Sequence, residues 1–138
     1  MVDPIFHGRC LCGAVTFEIK GPFQRMVHCH CSRCRRGTGT GHATNLIANP
    51  DQLKWLSGEE SITRFDLPEA KSFAKWFCSR CGCPLPRPSR SGKLVVPAGS
   101  LDAAPSDLPI DHIFWGSRAD WACEAGDAAT HETYPTSW

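Results

Sequence analysis

Residues 8–20 read Gly8-Arg9-Cys10-Leu11-Cys12-Gly13-Ala14-Val15-Thr16-Phe17-Glu18-Ile19-Lys20. Two cysteines one residue apart lead into a run in which Val15, Phe17 and Ile19 alternate with Ala14, Thr16 and Glu18. A period of two marks a half-buried strand, and Gly21-Pro22 ends it. Shorter extended runs follow at Met26 to Cys29, Ala43 to Ile47, Ser61 to Phe65, Ser72 to Cys78, Lys93 to Val96 and Asp111 to Trp115. Eleven prolines and twelve glycines leave little room for long helices. Asp51, ahead of Gln52-Leu53-Lys54, offers at most one capped turn. The expectation is a mainly β chain, mostly antiparallel, with Trp55, Trp76, Trp115 and Trp121 serving a small core. Its 138 residues suit one domain over residues 1–138, with an acidic tail from about residue 122 lying loosely on the surface.

Cysteine is the outlier, with nine in the chain. The start, Met1-Val2-Asp3-Pro4-Ile5-Phe6, lacks a basic segment followed by an apolar one, so a reducing cytoplasm is the expected compartment. The cysteine count is odd, and the spacings are those of metal knuckles, so bound metal accounts for these thiols better than disulfides do. Cys10, Cys12, Cys78 and Cys81 offer four thiolates from two distant turns, the donor set of a closed structural zinc site. Cys29, Cys31 and Cys34 remain as three sulfurs on one turn. Such a site leaves a fourth position for water or a substrate thiol, unless Cys83, His28, His30 or His42 closes it. Cys123 belongs to neither group and reads as a free thiol.

Residues 1–100 hold 14 Lys and Arg against 7 Asp and Glu, whereas residues 101–138 hold 1 against 7. A basic first part invites a nucleic-acid reading. Seven metal-bound thiolates would absorb much of that charge, and neither an RNP-type motif nor a basic-aromatic stripe is present, so no nucleic-acid partner is expected. No apolar run approaches the roughly 20 residues that cross a bilayer, and no membrane association is expected. Arg33, Arg35 and Arg36 flank the three-sulfur turn and suit a carboxylate-bearing thiol. The Gly37 to Gly41 run reads as an anion nest or a plain turn.

The segments GRCLCGAVTFEI (8–19), CHCSRCRRGTG (29–39), FCSRCGCPLP (77–86), GSLDAAPSDLP (99–109) and HIFWGSRADW (112–121) occur in an order that resembles the glutathione-dependent formaldehyde-activating enzymes, whose domain is shared with centromere protein V. The resemblance implies a β-tent of small antiparallel sheets stapled by zinc knuckles. It implies two Zn2+ per chain, one structural at Cys10, Cys12, Cys78 and Cys81, and one more labile at Cys29, Cys31 and Cys34. It further implies carbon-sulfur lyase chemistry, in which glutathione and formaldehyde give S-hydroxymethylglutathione. A small-molecule thiol and a small aldehyde are then the partners. A non-catalytic glutathione carrier and a zinc-stabilised interaction module are the rival readings.

Overall fold

The computed structural model describes residues 3–103, 105–122 and 128–137. Its strands are β1 (Ile5–Arg9), β2 (Thr16–Lys20), β3 (Arg25–Cys29), β4 (Ala43–Ala48), β5 (Leu53–Ser57), β6 (Ile62–Asp66), β7 (Ala74–Cys78), β8 (Arg87–Pro88), β9 (Leu94–Pro97) and β10 (Ile110–Ile113). Among the described residues one α-helix, α1, spans Ser32–Thr38. The strands form three small sheets, ordered β1-β2-β5, β10-β3-β4-β9-β8 and β6-β7. Every pairing is antiparallel except β3 with β10, where His112 lies opposite His28 and Ile113 opposite Cys29. No helix among the described residues is long and apolar enough to cross a membrane.

Strand β2 builds the centre as its alternation predicts: Phe17 and Ile19 are buried, and Val15 just ahead of the strand joins them. They pack with Phe23, Leu46, Ala48, Leu85, Leu94 and Val96, and with the sulfurs of Cys10 and Cys78. Trp55 meets Phe17 edge-on at 5.7 Å, and Trp76 packs against the same core. Trp115 and Trp121 depart from expectation, being 50% and 67% exposed. They wall a pocket instead. Residues 128–137 contain no helix or strand and are almost entirely exposed; Cys123 lies outside the described residues.

Two turns differ from the sequence reading. The single turn near Asp51 is a 3-10 helix over Pro50–Gln52, capped by Asn49 rather than Asp51, and the chain then extends into β5. Gly37 and Thr38 finish α1, and Gly39 is its left-handed cap, so helix hydrogen bonding uses the backbone that a nest would expose.

Gly58 joins two parts of the architecture. It sits at φ +78°, and a Cβ built on it would lie 2.1 Å from the Ala14 carbonyl oxygen, behind the first cysteine pair. Its own carbonyl accepts from Ser61 N–H at 2.9 Å, and Ser61 O accepts from Ser79 N–H at 2.8 Å, beside Cys78. Gly58→Ala is therefore expected to cost at least about 2 kcal/mol, a fall of roughly 8 °C in Tm, because backbone must move against backbone in a strained conformation. Gly99→Ala, whose Cβ meets open space, should melt within about 0.5 kcal/mol of the parent. Calorimetry of the two variants checks both values.

Candidate metal and thiol site

The first cysteine group closes around one point. Cys10 Sγ lies 3.6 Å from Cys12 Sγ, and Cys12 Sγ lies 3.9 Å from Cys78 Sγ. With Cys81, all four sulfurs fall within 4.8 Å of one another. Four sulfurs at ~2.3 Å from a tetrahedral zinc stand ~3.8 Å apart, so the donor set fits that ion. Gly13 and Gly82 take the positive φ that both turns need, donating N–H to the Cys10 and Cys78 carbonyls. Val15 N–H points at Cys10 Sγ from 3.3 Å. The donors also need a cation electrostatically. The Cys12 N–H and neighbouring thiols lower Cys81 to about 6 despite burial. Cys12 rises to about 11 even though Ala14 N–H favours its thiolate, because desolvation and three nearby sulfurs oppose it. Four thiolates cannot coexist there without a positive ion.

The second group is built on one turn. Cys29 ends β3, Cys31 caps α1, and Cys34 lies in the first helical turn. Cys29 and Cys31 sulfurs are 3.5 Å apart, and Cys31 Sγ accepts the Cys34 N–H at 3.3 Å. The three sulfurs lie within 4.8 Å of one another, and among the described residues no histidine nitrogen joins them. Hydrogen bonding from Cys34, aided by the Cys31 N–H, lowers Cys29 to about 6 against the effect of burial. Cys34 is driven far above the usual thiol range by the Cys29 thiolate it serves, and then by burial. This set also fits a soft or borderline cation, with fewer protein donors than a tetrahedron requires. Cys83 stands apart: it packs beside the first group, near Cys10 and Leu11, with its Sγ 3.6 Å from Pro84 O.

A cleft of about 920 Å3 opens beside the three sulfurs. Among the described residues, Arg33, Lys71, Arg87 and Arg90 bring four cations to its lining, against one carboxylate, Glu69. Arg87 is half-buried in β8, its guanidinium 6.0 Å from the Phe73 ring centre. Burial lowers its pKa while the charge on Cys34 raises it. A desolvated guanidinium beside a sulfur site is suited to a carboxylate ligand.

The family model described as "Glutathione-dependent formaldehyde-activating enzyme" matches residues 5–117. The chain belongs to this family. A Halomonas elongata protein named "Putative glutathione-dependent formaldehyde-activating enzyme" is 35% identical over 126 residues, spanning 85% of this chain and 79% of that protein. A crystal structure of a Rhodobacter sphaeroides protein, 27% identical, superposes with a TM-score of 0.60 over 75% of this chain and 98% of that one.

In this formaldehyde-activating-type chain, the arginines expected at the site part company. Arg33 lines the cleft, whereas Arg35 and Arg36 do not and instead occupy the last turn of α1, where a cation complements the helix dipole. Lys71, Arg87 and Arg90 were not singled out from the sequence, because they come from segments some forty residues or more beyond the cysteine turn, and Arg87 sits in a proline-rich stretch that reads as a rigid loop. His28, His30 and His42 line a different pocket from the sulfurs. Along β3 and into the following turn, alternation sends Val27 and Cys29 to one face and His28 and His30 to the other.

Proposed function

We propose that the chain joins the thiol of glutathione to formaldehyde in the cleft beside Cys29, Cys31 and Cys34, as a zinc-dependent carbon-sulfur lyase working in the cytoplasm. The observation that carries this reading is charge complementarity around the three sulfurs. Glutathione presents two carboxylates, one ammonium and one thiol. The cleft presents Arg33, Lys71, Arg87 and Arg90 for the carboxylates, Glu69 for the ammonium, and the sulfur cluster for the thiol end. The family assignment and the name of the Halomonas relative support the same pair of substrates.

Cys29, Cys31 and Cys34 would hold the zinc, which would supply a Lewis acid favouring the thiolate form of a thiol bound beside it. The protein's own work is positional. Arg87, half-buried beside Phe73, fixes one carboxylate, and the other cations hold the peptide so that its sulfur faces the cysteine turn. The sulfur adds to the formaldehyde carbon, a carbon-sulfur bond forms as the carbonyl π bond breaks, and the proton given up by the thiol is matched by one taken up on oxygen. Holding the two reactants in register makes the addition effectively intramolecular. Zinc at Cys10, Cys12, Cys78 and Cys81 is structural in this reading.

Two-dimensional exchange NMR tests the activity directly. Zinc-loaded protein should speed interconversion of free glutathione and S-hydroxymethylglutathione over buffer at matched free zinc. Glutathione binding with an unchanged exchange rate would make the protein a carrier. Arg87→Met should weaken glutathione binding about tenfold, the equivalent of ~1.4 kcal/mol for one charge-assisted contact, without loss of either metal. Calorimetric titration with parallel metal analysis reads both quantities.

A further inference from the structure

The face of the five-stranded sheet opposite the thiol cleft gathers four imidazoles. Parallel pairing of β10 with β3 sets His112 opposite His28, while antiparallel β4 follows directly on His42. Ring centres of His28 and His42 are 4.3 Å apart, those of His28 and His112 4.9 Å, and those of His30 and His112 5.2 Å. With Trp115 and Trp121 they line an open pocket of about 890 Å3. Among the described residues no carboxylate bonds to any of these rings. His30 Nε2 lies 2.9 Å from His112 Nδ1, and His42 Nδ1 faces Ala43 O and Thr44 Oγ1. The Nδ1 atoms of His28 and His30 are buried without a partner, and His30 is only 3% exposed.

Buried polar atoms are seldom left unsatisfied, and histidines that serve only to pack normally find a carbonyl, carboxylate or water. Four rings, two of them with an orphaned Nδ1 and none bonded to a carboxylate among the described residues, are a poor site for Mg2+ or Ca2+, which need oxygen donors. They match the imidazole preference of first-row transition metals. Two nitrogens on adjacent positions of one such ion stand ~2.9–3.4 Å apart for metal-nitrogen distances of ~2.0–2.1 Å. The His30–His112 pair already has that separation, as a direct ring-to-ring hydrogen bond that a bound ion would replace.

We propose that this pocket binds a transition-metal ion, distinct from any metal at the two cysteine groups, through His30 Nε2 and His112 Nδ1. A turn of the His28 or His42 ring supplies a third nitrogen, and the open side of the pocket leaves positions for solvent or a small ligand. His112 is exposed on an edge strand, so it can be changed with little risk to the fold.

The test uses untagged protein holding two zinc ions per chain, stripped of any further metal by gel filtration over a weak chelator, and titrated with CoCl2. The expected result is one Co2+ per chain with no zinc released, visible ligand-field absorption, and none of the intense near-ultraviolet charge transfer that thiolate ligation produces. In the unaltered protein, NMR should show paramagnetic shifts of the His30 and His112 ring protons. His112→Asn should weaken Co2+ binding at least tenfold, and His42→Ala/His112→Asn further, with unchanged zinc content and thermal melting. Absence of bound Co2+, charge-transfer bands with zinc release, or affinity unaltered in the double variant would each overturn the site.

Discussion

Cys78→Ser is expected to leave the chain without a cooperative thermal transition and with its structural metal lost. Cys78 is fully buried, so its sulfur belongs at once to the four-sulfur group and to the packing around Phe17, Leu46 and Leu94. Structural zinc contributes on the order of 10–16 kcal/mol in small knuckles, comparable with the whole stability of a domain at about 5–15 kcal/mol. A hydroxyl in that place is a far poorer donor and is itself buried. Cys83→Ala provides the contrast: its sulfur lies outside the four-donor set, so only a partly buried side chain is trimmed, at about 1 kcal/mol. Circular dichroism melts with metal analysis by mass spectrometry separate the two. A Cys78→Ser protein that melts sharply and keeps its full metal content would show that the four sulfurs are not what holds the sheets together.

Cys31→Ser should do the opposite, retaining the fold while exchange between glutathione and S-hydroxymethylglutathione falls to the buffer rate. Cys31 is the N-cap of α1, accepting the Cys34 N–H through its sulfur. Serine is among the strongest N-cap residues, so the helix keeps its start while the three-sulfur set is reduced to two. Two donors hold zinc weakly, and one metal per chain should be lost on mild chelation. Cys29→Ser is a less clean change, because Cys29 is buried at the end of β3. If Cys31→Ser retains full exchange activity with one metal absent, the reaction does not depend on the triplet.

Both cysteine groups were legible because knuckle spacing is local, and β2 because its alternation is regular. β1 was missed for a physical reason. Its fully buried position is Gly8, which carries no apolar side chain to signal burial; the Phe17 ring fills the space, and a Cβ there would lie 2.4 Å from it. β5 was obscured by the capped turn directly ahead of it. The cleft's cations and the four-histidine pocket depend on contacts between distant segments. His28, His30 and His42 each looked weak alone, and His112 joins them only through a parallel pairing that no local pattern announces. Size alone argues for Trp115 and Trp121 in the core, but the chain after β10 turns outward at Phe114, whose φ of +53° redirects the following residues.

The two sulfur groups differ in how much chain must exist before each can form. Cys29, Cys31 and Cys34 lie within one short segment, complete as soon as it leaves the ribosome, whereas Cys12 meets Cys78 across 66 residues. Closing that loop costs entropy and waits on synthesis of Cys81. A growing chain therefore offers its three-donor turn to the cell's metal pool well before its four-donor staple. On the proposed metal assignment, the order of capture would run opposite to the order of structural importance, and the four-sulfur group would draw its ion while the triplet already competed for the same supply.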